Sequence, residues 1–165
     1  MTNYKELSVI AKNVGFIEKI ETLGFKLGPK QFWIYRERGN FIDYIGLQLS
    51  RSKCYVNVPI TCFKKSLIEH CDMSQFPKGF NNGWPTYSST CLKKYYGVEI
   101  GNDPRKVETP KDIEAMFNEL LINIVNDGDP WLKNIDSDRK FYESFTVVFK
   151  ESEEGQKLKD ILIGD

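Results

Sequence analysis

The sequence has a single histidine, His70, and none of its four cysteines (Cys54, Cys62, Cys71, Cys91) stand at Cys-x-x-Cys spacing. A structural zinc site draws on four Cys/His ligands in two close pairs, so the composition argues against one and no metal is expected. No apolar run approaches the roughly 20 residues needed to cross a bilayer. The opening stretch MTNYKELSVIAKNVGF is interrupted by Lys5, Glu6 and Lys12, unlike the unbroken apolar core of a secretion signal. These absences point to a soluble, cytoplasmic chain without a membrane partner, and in that compartment to free thiols. Phosphate-cradling glycine loops are missing, as are the Gly-x-Ser-x-Gly elbow and the His-Glu-x-x-His pair. Chemistries that depend on the geometry of those motifs lose their support, and no cofactor is expected. An excess of either charge is also missing: 23 Lys and Arg balance 23 Asp and Glu. Zero net charge argues against a general polyanion binder.

What is present fits one α+β domain over residues 1–165, of ordinary globular composition and long enough to bury a core. Leu7, Ile10, Val14, Ile17 and Ile20 recur at helical steps, so residues 3–23 are predicted as a helix, weakened at Gly15 and stopped at Gly24. The period then changes. Residues 31–38 are rich in aromatic and β-branched residues, and Arg38-Gly39-Asn40 marks a turn. In 41–50, Phe41, Asp43, Ile45, Leu47 and Leu49 share one face; in 54–63, Cys54, Val56, Val58, Ile60 and Cys62 do the same. This predicts a three-stranded antiparallel meander, with Pro59 making its strand an edge or ending it early.

The pattern fails from Lys64 to about Asp103. There SQFPKGFNNGWPTYSST mixes turn residues with Phe76, Phe80, Trp84 and Tyr87, and a loop of that length is often functional. Order returns at Thr109-Pro110-Lys111-Asp112, which reads as a helix start. Ile113, Met116, Phe117, Leu120, Leu121 and Ile124 follow at helical spacing, and Gly128 and Pro130 are predicted to end that helix. Ser137 caps a further helix in the prediction, with 141–149 open between helix and strand, and residues 152–163 read as a final helix. The C-terminal helices thus pack with the N-terminal one on the meander.

The halves of the chain differ in charge. Residues 1–82 carry 12 basic and 7 acidic residues, whereas 83–165 carry 11 and 16. Asp127, Asp129, Asp136 and Asp138 gather around Trp131. Such carboxylates can act as a catalytic pair or hold a hard cation, although a calcium loop's terminal glutamate is missing. They can also form an acidic patch with an aromatic anchor for a basic protein partner, or simply polar loops and capped helix ends. Trp84 and Tyr87, as loop aromatics, are further partner-binding candidates. Two other constellations stay open. Trp33, Tyr35, Tyr44 and Tyr55 near Arg36, Arg38, Arg51 and Lys53 could stack bases and hold phosphates, as in a single-stranded RNA-binding module. His70 beside Cys71 raises a cysteine hydrolase, but neighbours in sequence generally point apart and such pairs are usually assembled by the fold.

The stretch LGFKLGPKQFWIYRERGNFIDYIGLQLSRSKCYVNVPI, residues 23–60, with DPWLKN at 129–134, resembles an uncharacterised bacterial family of small α+β proteins grouped as a domain of unknown function. Some uncharacterised proteins of this size resemble immunity proteins encoded beside secreted bacterial toxins. That resemblance implies a non-enzymatic protein that binds and blocks a cognate toxin, for instance a nuclease with a basic cleft. It transfers no catalytic residue, and the candidate partner contacts are Asp127, Asp129, Trp131, Asp136 and Asp138, with Trp84 and Tyr87.

Overall fold

The computed structural model describes residues 2–28, 32–67, 88–90, 105–145 and 147–164. The first helix begins where Asn3 Oδ1 accepts the Glu6 N–H at 2.9 Å, satisfying one of the donors a helix start leaves open. It does not run unbroken. Helix α1 (Tyr4–Asn13) gives way to α2 (Phe16–Thr22) at Gly15, whose φ of +70° is a left-handed conformation that a residue with a Cβ enters only at a cost. The break turns Phe16 and Ile20 inward beside Leu7, Ile10 and Ala11.

Among the described residues eight strands follow: β1 (Lys26–Leu27), β2 (Trp33–Arg38), β3 (Phe41–Gly46), β4 (Gln48–Leu49), β5 (Tyr55–Asn57), β6 (Ile60–Lys64), β7 (Ser88–Thr90) and β8 (Arg105–Lys106). They form two antiparallel sheets, ordered β1-β2-β3-β6-β7 and β4-β5-β8. The predicted meander is therefore present, but its second and third strands are each split. At the split, Leu47 N–H donates to Phe32 O at 3.0 Å and Gly46 N–H to Pro59 O at 3.0 Å. Pro59 has no N–H to continue the ladder, so the hairpin bends there and its outer part becomes the smaller sheet.

Helix α3 (Pro110–Asn123) starts as its sequence requires. The Thr109 and Asp112 side chains each bond the other's backbone N–H, and Pro110 occupies the first turn. Its stripe Ile113, Met116, Phe117, Leu120 and Ile124 is buried. Phe117 meets Phe16 and Phe32 with ring centroids 4.9 and 5.3 Å away, joining α2, α3 and the start of β2.

The expected stop at Gly128 and Pro130 does not occur. The chain passes through a π-helical turn (Ile124–Gly128) directly into α4 (Asp129–Asn134), with Gly128 itself right-handed helical. In a regular α-helix the Pro130 ring would press on the carbonyl four residues earlier and leave it without a donor. The wider π turn absorbs that conflict, so the proline marks a bulge rather than an end. Beyond it lie α5 (Asp138–Glu143), α6 (Val147–Glu151) and α7 (Glu153–Ile163), capped by Ser137 and Ser152 at the starts of α5 and α7. The segment 141–149, open in the sequence, is helical at both ends. Phe141, Phe145 and Phe149 stack edge to face at 5.1 and 5.2 Å. A Cβ on Gly155 would stand 2.0 Å from the Phe149 carbonyl oxygen, so α7 approaches α6 as closely as it does only with glycine there. The architecture is α+β, with helices packed against antiparallel sheet.

Candidate functional site

Strand alternation decides which side chains meet. Register places Arg36 opposite Asp43 and Asp43 opposite Cys62, on the same face as Ile34, Ile45 and Ile60. This face is buried, so Asp43 is wholly enclosed. A carboxylate there is tolerable only if every lone pair is used. Asp43 accepts from Arg36 Nε at 2.9 Å and Nη2 at 2.7 Å, and from Arg38 Nε at 2.7 Å and Nη2 at 2.8 Å. The two guanidiniums carry the network outward. Arg36 Nη1 donates to Asp129 Oδ1 at 2.6 Å and to the Leu23 carbonyl at 2.8 Å, and its guanidinium lies 4.4 Å from the Phe25 ring centre. Arg38 Nη2 donates to Leu132 O at 2.6 Å and to Ile135 O at 3.2 Å. Lys133 Nζ closes the set on Asp129 Oδ2 at 2.7 Å. One ionic cluster thus ties β2 and β3 to α4 and to the end of α2.

The Asp129 carboxyl would be raised by its burial, but hydrogen bonds from Lys133 and Arg36 outweigh that and hold it below the ordinary aspartate range. A carboxyl held low in the folded state stabilises the fold above its unfolded pKa, and that contribution is lost as pH falls through the folded value. Denaturant unfolding repeated from neutral to acid pH should therefore show Asp129→Asn less stable at neutrality and less steeply weakened by acid. Parallel pH profiles for the two proteins would mean that this carboxylate contributes nothing. Burial pushes the Cys62 thiol well up, and Asp43 pushes it further. It is a packed thiol and not a nucleophile.

This cluster corrects the acidic-face expectation. Asp129 faces the interior, and Trp131 is buried beside it at 8% exposure. Asp136 pairs with Lys140 at 3.0 Å, and Asp138 with the buried Lys64. Of these four aspartates, Asp127 alone has no ion pair among the described residues. The four carboxylates are brought to one region, but three neutralise cations of the same chain. Trp84, Tyr87, His70 and Cys71 lie outside the described residues. The aromatic strand residues do not present an open stacking face either. Trp33 is 1% exposed, packed on Tyr35 and Tyr44 at 5.2 and 5.8 Å, and Arg36 and Arg38 are spent on the cluster. Tyr55 is exposed, close in sequence to the exposed Arg51 and Lys53.

Among the described residues, an open groove lies beside Leu23. It measures about 330 Å³ and runs between the end of α2 (Lys19, Thr22, then Leu23) and the far wall of α3 and the π turn (Leu121, Ile122, Val125, Asn126). Ile122 and Val125 stand 58% and 45% exposed. Both fall off the buried stripe of α3, and that was the available signal: two β-branched apolar residues on a helix's outer face. The groove's position is fixed from behind, because the Leu23 carbonyl is one of the groups that Arg36 holds.

No family model, curated protein or solved structure matches the chain. Among the described residues no helix is long and apolar enough to cross a membrane, and no three His, Cys, Asp or Glu side chains are grouped to hold a metal ion.

Proposed function

We propose that the chain is a non-enzymatic, cytoplasmic binding protein of the immunity type, which neutralises a cognate bacterial toxin by docking on it and occluding its working face. The observation that carries this reading is the open apolar groove between α2 and the π-bulged α3, with Ile122 and Val125 exposed on its lip. Exposed apolar side chains around a depression are what a protein partner's anchoring residues seek. The ionic cluster behind the groove adds a second support. It holds the α2 end and the bulged helix in place before binding, which lowers the ordering cost of association. A specific interface buries about 1,600 Å² in total. The groove is thus the anchor of a larger contact that extends over the outer faces of α2 and α3.

The test is co-expression with the C-terminal domain of a large secreted protein encoded beside this chain's gene. Wild type should restore growth and co-purify with that domain. Ile122→Asp and Val125→Asp should do neither while unfolding like wild type, since both positions are already solvated. Rescue that survives both substitutions would move the interface elsewhere, and a chain that neither rescues nor co-purifies would overturn the reading. The RNA-binding alternative is left with Tyr55, Arg51 and Lys53, without the buried Trp33.

A further inference from the structure

The groove's lining also says what should enter it. Three helix lysines elsewhere in the chain have carboxylates one turn away, Lys133 with Asp129, Lys140 with Asp136 and Lys157 with Glu153, whereas Lys5, Lys12 and Lys159 do not. Lys19 has none either. The residues four positions from it are Gly15 and Leu23, and those three positions away are Phe16 and Thr22. No carboxylate pairs with it among the described residues, and it is the one charged side chain lining the groove. The remaining lining is Leu23, Leu121, Ile122 and Val125, with the Asn126 amide at one end and the Thr22 hydroxyl turned back onto the Lys19 carbonyl at 2.6 Å.

From this we infer that the groove receives a protein segment presenting one bulky apolar side chain with a carboxylate beside it, the apolar group filling the floor and the carboxylate meeting Lys19. This rests on the docking role proposed above and names the partner's chemistry. It also reverses the polarity suggested by the clustered aspartates of 127–138: those are largely spent inside the chain, so the contact offered at the groove is cationic and apolar. At about 330 Å³ the space is at the lower end of small-molecule sites and open along its length, which suits an anchoring side chain held by a surrounding interface.

Methyl NMR spectra of the full chain can test this with three short capped peptides on one helical scaffold. One carries Phe and Glu a turn apart, the second Phe and Lys, the third Ala and Glu. The Phe/Glu peptide should shift the methyls of Leu23, Leu121, Ile122 and Val125 saturably. The Phe/Lys peptide should bind more weakly by about threefold, the scale of a partly exposed ion pair, and the difference should shrink in high salt. The Ala/Glu peptide should leave the methyls unmoved, and Lys19→Glu should invert the order of the two Phe peptides.

Equal affinity for the Glu and Lys peptides, or an order that Lys19→Glu does not change, would overturn the assignment. So would the absence of any peptide effect. Methyl shifts that grow with the chain's own concentration, together with a dimeric mass, would assign the groove to a second copy and overturn it too. Growth rescue separates this inference from the reading beneath it. Rescue lost in Ile122→Asp but untouched in Lys19→Glu would keep the docking role and discard the acidic partner. The expected peptide order without any rescue by wild type would keep the groove chemistry and discard the immunity role.

Discussion

Replacing Asp43 by alanine should lower the unfolding free energy by about 3–5 kcal/mol, the cost of orphaning buried charges when one partner of a paired set is removed. Two guanidiniums converge on this carboxylate with four hydrogen bonds, and no water reaches it. Without it, Arg36 and Arg38 would repel each other on the buried face of the sheet. Part of the alanine effect would be lost packing, so Asp43→Asn is the sharper comparison. It keeps the volume and removes the charge, and its amide would point N–H groups at two cations. Urea titrations should place both variants at clearly lower midpoints with an unchanged slope. An asparagine variant within about 1 kcal/mol of wild type, the range of an ordinary substitution, would show that the site is held by shape rather than by charge.

Asp43 also shows how far the sequence could be read. Its alternation with Phe41 and Ile45 is visible in the one-dimensional pattern, and so is its place on the face that the core covers. A carboxylate on such a face asks for a partner. The alternation of β2 already places Arg36 on the face of Ile34, yet reading its guanidinium as a phosphate contact sends it to solvent. What no local pattern supplies is Asp129, 93 residues along the chain from Arg36. The acidic residues of 127–138 look like a surface cluster until the sheet beneath them is known. Local chemistry did fix other features. The reciprocal cap at Thr109 and Asp112, the break at Gly15 and the Ser152 cap are each set by a few adjacent residues, and each is where its residues put it. Gly128 and Pro130 also carry a local signal, a stop, but continuation through a π turn keeps Asp129 and Leu132 over the two arginines. Tertiary contacts there override the local preference. The groove is of the same kind. Ile122 and Val125 can be seen as misplaced apolar residues, but a groove needs the second wall that α2 supplies.

Arg36→Lys should destabilise the protein by about 2–4 kcal/mol although it conserves the charge, because several charge-assisted hydrogen bonds depend on the planar fork. Arg36 reaches three elements at once. It binds Asp43 on β3 through two nitrogens, and Asp129 on α4 together with the Leu23 carbonyl at the end of α2 through the third. An ammonium presents its donors from one point and cannot lie between the two carboxylates while still meeting Leu23. Asp43 would keep Arg38 and Asp129 would keep Lys133, so the sheet and the bulged helix each retain a cation. The Leu23 carbonyl would have no replacement. The damage should therefore be uneven. Amide exchange should speed up most around residues 23–25 and 129–135, where the elements are tied together, and least within the β2–β3 ladder. Leu23 lines the groove, so the same substitution should weaken docking of the Phe/Glu peptide without touching any residue that contacts it. Uniform acceleration of exchange with unchanged peptide affinity would show that Arg36 supports the fold as a whole and leaves the groove's shape to the packing of α2 on α3.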